Sequence, residues 1–244
     1  MMATDDLQEL CELGQEQLMR MEYARAERTL AGAEEVAWQA RDFDTLSRVY
    51  MPLLESRRQK RQRSGEGEVL LDIAAKGPGD EIDGRQVVEE HPFGQLLVAG
   101  WGTIEPARVV RRLARERGLY LETFLGAVYL TDTGRVVVLA PLEVCELPGT
   151  EERRLEELKG VLPMGCLVLS EHETDVKAGR GTAGTFSRVM GLWERLHGPF
   201  LAAAEGLGDR VRRIEAHRET MRVDEGCELA HQRAAEVARE LSRG

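Results

Sequence analysis

Apolar residues along this chain change their spacing twice. From about residue 5 to 63 they recur at helical intervals among charged neighbours. Leu7, Leu10, Cys11, Gly14 and Leu18 share one face, and Tyr23, Ala26, Leu30, Ala33 and Ala37 make the stripe of a second helix. A break at residues 21–22 separates the two. Asp42 and Asp44 supply N-cap chemistry for a third helix that carries Leu46, Val49, Tyr50, Leu53 and Leu54. Pro52 falls inside it, where a missing donor and a ring clash predict a kink or an early end.

Between about residues 68 and 173 the period drops toward two. Residues 69–73 (VLLDI), 95–101 (QLLVAGW), 126–131 (GAVYLT), 135–140 (RVVVLA) and 166–169 (CLVL) predict strands rich in Val and Leu. Asp132-Thr133-Gly134 predicts a tight antiparallel hairpin between the third and fourth of these runs. A helix is expected over 104–117, opened by Thr103 and Pro106, closed by Gly118 and packed through Val109, Val110, Leu113 and Ala114. With the strand before it and residues 119–124 after it, that helix completes a βαβ unit, so the expected sheet is mixed. A short helix over 150–158 is expected, with Thr150 as its cap.

Helical spacing then returns. Phe186, Val189, Met190, Trp193 and Leu196 share a face over 185–196, Gly198-Pro199 predicts an interruption, and a short helix runs to Ala204. Helices over 209–223 and 224–241 form a second antiparallel pair, with Ala230, Ala234, Val237, Ala238 and Leu241 inward. The predicted fold class is therefore α+β. It comprises a helical segment over 1–63, a mixed α/β sheet domain over 68–178 and a C-terminal helical segment over 184–244.

One feature of the first segment is more specific. Leu10, two spacers and Leu13-Gly14 are followed at Ala26 by alanine, three spacers and Leu30, with the small Ala33 next. This pattern, including the interval from Gly14 to Ala26, resembles a tetratricopeptide repeat. The resemblance implies a helical hairpin packed through Leu10, Gly14, Leu18, Tyr23, Ala26 and Leu30, and a module that binds peptides or helices. Gly14 and Ala26 would let the two backbones approach closely. One repeat buries too little apolar surface to stand alone. These helices must then dock on the sheet domain, on the C-terminal pair or on a second copy, so intramolecular docking or a homodimer is expected.

Charge narrows the partners. The chain has 244 residues and a formal charge of -10, which argues against a nucleic-acid binder, because phosphate affinity needs surplus Lys and Arg. The exception is the basic run at 57–63, where Arg57, Arg58, Lys60 and Arg61 offer a contact to phosphate or to an acidic partner. More simply, these are the solvated last turns of a helix, with cations at the negative end of its dipole. No secretory-signal pattern opens the sequence, and its most apolar run, 160–170, is far below the ~20 residues that cross a bilayer. The four cysteines, Cys11, Cys145, Cys166 and Cys227, have no ligand-like spacing and suit a reducing compartment. A cytoplasmic protein with no membrane contact is the expectation.

Three stretches are candidates for chemistry. Gly100, Gly102 and Thr103 lie between a strand and a helix, where free amides hold anions, although Glu105 stands where a dinucleotide fingerprint has its third glycine. Gly179, Arg180, Gly181, Thr182 and Gly184 form a GxGxxG before a helix, close to Lys177, but no strand leads straight into it. Glu171, His172 and Glu173, within the stretch 171–175, follow the carboxyl end of a strand, where sites form in open α/β sheets, and a solvated turn is the simpler account. No GxSxG, HExxH or P-loop lysine motif is present. No catalytic residue, cofactor or metal is assigned. The sequence favours a non-catalytic protein–protein interaction protein, working through a protein partner or self-association. The alternative is a regulator or enzyme that binds a small anion or nucleotide at the glycine loops.

Overall fold

The computed structural model describes residues 2–174 and 182–243, with side chains from Asp6 onward. It is an α+β protein, and the elements run α1 (Met2–Met19), α2 (Tyr23–Gln39), α3 (Phe43–Gly65), β1 (Glu68–Ala74), α4 (Gly84–Glu90), β2 (Gly94–Trp101), α5 (Glu105–Arg117) and β3 (Leu121–Thr131). After the hairpin come β4 (Gly134–Ala140), α6 (Leu155–Val161), β5 (Leu167–Ser170), α7 (Glu171–Thr174), α8 (Ala183–Glu205), α9 (Arg210–Val223) and α10 (Glu228–Ser242). Two compact units result, one of residues 1–62 with 197–244 and one of residues 63–196. The helices at the two ends of the chain thus belong to one unit.

In the helical unit, α1, α2 and α3 run up and down through two turns of the same design. At each turn a residue takes the left-handed conformation, Met21 at φ 62° and Arg41 at φ 56°. The amides there bond back into the preceding helix, Met21 N to Leu18 O at 3.0 Å and Glu22 N to Gln17 O at 2.9 Å. Arg41 N to Trp38 O at 3.1 Å and Asp42 N to Ala37 O at 2.9 Å repeat the pattern. These are Schellman closures built without glycine. An ideal Cβ on Gly14 would stand 2.6 Å from Cγ and from Cδ2 of Leu30, so a side chain at that position is replaced by the neighbouring helix. Ala26, Leu30, Ala33 and Ala37 are fully buried. They share a core with Leu46, Tyr50 and Leu53 of α3 and with Ile214, Ala230, Ala234 and Ala238 of α9 and α10. The C-terminal pair thus covers apolar surface that a lone hairpin would leave in water.

In the sheet unit five strands lie in the order β1-β2-β3-β4-β5. The β1–β2 and β2–β3 pairs are parallel, and β3–β4 and β4–β5 are antiparallel. Thr131 pairs with Gly134, which makes the expected two-residue turn at Asp132-Thr133. One face of the sheet packs on α4, α5 and α6 through Leu96, Val98, Leu125, Val138, Val110 and Leu158. Gly118 closes α5 at φ 66°, a conformation suited to glycine. On the other face Phe124 stacks on Trp193 of α8, with ring centroids 4.2 Å apart.

Three expectations need correction, the early end at Pro52, the interruption at Gly198-Pro199 and the helix over 150–158, and one further helix is added. Helix α3 continues past Pro52 to Gly65, and α8 continues past Pro199 to Glu205 with no break at Gly198. In each case the apolar stripe stays in register on both sides of the proline, and its burial outweighs one lost backbone bond. The short helix expected over 150–158 forms instead at Leu155–Val161, and the Leu155 amide donates to Asp132 Oδ1 at 2.9 Å, so Thr150 is not its cap. The connection between β1 and β2 carries α4, which makes a second βαβ unit. Its sequence, GRQVVEE, is too short and polar to show a periodic face.

Candidate ligand cleft

The parallel strands β1, β2 and β3 end on the same side of the sheet as the β3–β4 turn and the carboxyl end of β5. In sheets of this kind that side is where ligands collect. Here Arg135, the second residue of β4, reaches out of the strand and donates to Ala75 O, just past β1, at 3.3 Å. This side chain links the ends of two strands that do not pair with each other. The result is a cleft of about 920 Å³. Its wall is Asp72 and Ala74 of β1 with Lys76 just beyond, Thr133 to Val137 around the hairpin, Leu155 and Lys159 of α6, and Ser170 to Thr174 from the end of β5 through α7.

Most charges in the cleft are already paired. Arg135 Nη2 donates to Glu171 Oε1 at 2.5 Å, and Lys159 Nζ to Glu156 Oε1 at 2.7 Å. Glu173 accepts from the Ser170 amide at 2.9 Å and hydroxyl at 3.1 Å, and from Arg195 Nη1 at 3.2 Å. Burial works to raise the Glu173 pKa, but those three donors outweigh it and hold the carboxyl below its usual range. Arg188 of α8 donates to the carbonyl oxygens of His172 and Glu173, which pins the 171–174 turn to the sheet edge. Three groups remain. Among the described residues the Lys76 ammonium, the Asp72 carboxylate and the His172 ring have no hydrogen-bond partner from the protein. Lys76 and His172 offer donors to a cleft in which Glu171 and Glu173 already have partners.

No family model, curated protein or solved structure matches this chain. Its own geometry carries the argument.

Of the three stretches singled out in the sequence, one lines the cleft among the described residues. Glu171, His172 and Glu173 line it as a single helical turn. Gly100, Gly102 and Thr103 form a closed βα turn, in which Gly102 N bonds Val128 O at 2.9 Å and Glu105 N bonds Thr103 Oγ1 at 3.1 Å. Those amides are spent within the fold. Gly179, Arg180, Gly181 and Lys177 lie outside the described residues. Thr182 and Thr185 cap α8 reciprocally, with Thr182 N donating to Thr185 Oγ1 at 2.7 Å and Thr185 N to Thr182 Oγ1 at 3.3 Å, while Gly184 sits in the first turn. Asp72, Lys76 and Arg135 were not flagged by any motif. The only signal was their place, at or beyond the edges of two strand runs.

The remaining candidates lie in the helical unit. Leu10, Leu18 and Tyr23 are half-buried around the seam made by Gly14, Ala26 and Leu30. The basic run is not a solvated helix end. Arg57 pairs with Glu27 at 3.3 Å, Lys60 with Glu27 at 3.2 Å and Glu225 at 3.7 Å, and Arg61 with Asp224 at 2.7 Å. Arg58 and Arg63 face water, beside Glu55 and Glu66. The acidic groups facing this run come from the same chain. A similar pairing holds Arg218, which bonds Glu34 at 2.6 Å and Glu35 at 2.7 Å and lies 4.6 Å over the Trp38 ring. Among the described residues no helix is long and apolar enough to cross a membrane.

Proposed function

We propose that this chain is a binding protein whose sheet unit holds a small, anion-bearing ligand in the cleft at the carboxyl ends of its strands. The observation that carries this is a Lys76 ammonium with no partner among the described residues, in a 920 Å³ cleft beside His172 and the Arg135–Glu171 pair. A phosphate or carboxylate entering there gains a charge-assisted bond to Lys76 that no described residue makes. It can also draw Arg135 away from Glu171, an exposed pair that costs little to break. The Asp72 carboxylate, which has no partner among the described residues, favours a ligand that also carries a donor, such as an amino or hydroxyl group.

A thermal-shift screen of carboxylates, sugar phosphates and nucleotides tests this. A ligand at a hundred times its dissociation constant should add about 2.7 kcal/mol of stability. Lys76→Gln should weaken binding about tenfold without lowering the melting temperature of the free protein, since substitutions at such exposed positions cost under about 0.5 kcal/mol. No shift with any compound, or equal binding by the variant, removes this reading.

A second reading concerns the helical unit. Leu13, Met19, Met21, Val36 and Met51 expose between 39% and 78% of their surface on α1, α2, α3 and the first turn. Apolar side chains, three of them adaptable methionines, suit a surface that takes another polypeptide, as the tetratricopeptide resemblance implies. Replacing Leu13, Met19 and Met51 together with Gln should abolish capture of such a partner and leave ligand binding in the cleft intact. Capture undiminished by the triple replacement would exclude this surface.

A further inference from the structure

We propose that His197, Asp224 and Cys227 form a site for a thiophilic divalent cation of the zinc type in the helical unit. His197 comes from α8, Asp224 is the residue that ends α9, and Cys227 is the N-cap of α10. One ring nitrogen, one carboxylate oxygen and the sulfur lie within 4.8 Å of one another. Imidazole, carboxylate and thiolate are the ligand types that zinc collects, and two of the three here are almost completely buried, Asp224 at 1% and Cys227 at 3% exposure. Exposed acidic groups often cluster without holding a metal; here two of the three groups are buried, and a ring nitrogen and a sulfur complete the set.

The local chain explains why the groups converge. Asp224 and Cys227 are the two ends of one tight turn, in which Gly226 N donates to Asp224 Oδ1 at 3.0 Å and Cys227 N to Asp224 O at 3.0 Å. His197 Nδ1 stands 2.7 Å from Asp224 Oδ2, and Arg61 Nη2 stands 2.7 Å from Asp224 Oδ1. Arg61 thus holds one carboxylate oxygen and orients the other toward the ring and the sulfur, the task of an outer partner in a metal site. Ligand atoms on a tetrahedral zinc stand about 3.3 Å or more apart at ordinary bond lengths, so the His–Asp gap must open by roughly half an ångström.

Charge balance removes the objection that a cation would sit near Arg61. The ring gives up the proton it shares with Asp224 and the thiol gives up its own, both to solvent. Three bonds form, from Nδ1, Oδ2 and Sγ to the metal, and a water completes the shell. Two positive charges leave and two enter, so the buried cluster keeps its net charge.

Cobalt(II), which reports thiolate ligation by a near-ultraviolet charge-transfer band, tests the site on the full chain. One equivalent should produce the band, and zinc should displace it. Cys11→Ser/Cys145→Ser/Cys166→Ser leaves Cys227 as the sole thiol and should retain the band, so the result does not depend on whether a Cys227 variant folds. Cys227→Ser should abolish it, and Asp224→Asn should weaken cobalt binding by tenfold or more. No band in the natural chain, or a band that survives Cys227→Ser, would overturn the proposal; the latter outcome would move the metal to Cys145 and Cys166, whose sulfurs lie 3.9 Å apart.

Discussion

Gly14→Ala and Gly32→Ala add the same methyl group to the same helical hairpin, and the structure assigns them opposite effects. Both glycines lie within helices, where alanine gains up to about 1 kcal/mol over glycine. Around Gly32 an added Cβ meets nothing within 4 Å, so that gain is kept. At Gly14 the Cβ would stand 2.6 Å from two carbons of Leu30, against an ordinary carbon–carbon contact of about 3.5–4.0 Å. Leu30 must then withdraw by roughly 1 Å, and it is fully buried, with no solvent to move into. Overpacking of this kind costs about 1–3 kcal/mol. Gly32→Ala should therefore stabilise by roughly 0.5–1 kcal/mol, and Gly14→Ala should be less stable than Gly32→Ala by about 1–3 kcal/mol. Urea unfolding followed by helical circular dichroism measures the difference as a shift in midpoint at constant slope. Hydrogen exchange of α1 and α2 amides assigns it to the helical unit. Equal stability of the two variants would refute the seam between Gly14 and Leu30.

Two further predictions rest on the same unit. Met21→Gly relieves a left-handed residue and should stabilise by up to about 1 kcal/mol, whereas Arg41→Gly gives up a guanidinium stacked 4.2 Å over Trp38 and should be near neutral; thermal melting of both variants checks the pair, and equal gains would discount the stacking. Burial and the adjacent Arg57 guanidinium push His231 from its ordinary 6.5 down to about 3, so its contribution is complete above pH 6.5 and is lost as the pH falls from there toward 3, at about 1.4 kcal/mol per unit. Denaturation at stepped pH should show the helical unit losing several kcal/mol in that window, and a His231→Gln variant with the same acid profile would refute the assignment.

Much of this fold could be read from local spacing. The strands announced themselves because β2 and β3 are buried along most of their length and run through LLVA and FLGAVYL, and α5 because its apolar face stands against a strip rich in arginine. What failed was punctuation. Pro199 looked like a stop because proline removes a backbone donor, yet Leu196, Phe200 and Ala204 keep one buried stripe through it. Local chemistry proposes a break there, and the packing of a long helix overrides it.

Charge was harder to read than hydrophobicity, and the reason is distance along the chain. The cations of the basic run look available when read in order, because their carboxylates lie some 30 residues before them in Glu27 or more than 160 after them in Asp224 and Glu225. A run of positive charge therefore gives no sign of an outside partner until its own chain has been searched for acids. The same accounting, applied to the sheet unit, reverses the value of its two kinds of candidate. Glycine turns promise free amides, but the turn at Gly102 has given its amides to Val128 and Thr103. Lys76 carried no motif and was not singled out, yet it is the cation in the cleft that folding leaves unpaired among the described residues. Ligand affinity comes from donors that folding does not use, and which donors those are is decided by contacts between strand ends far apart in the sequence.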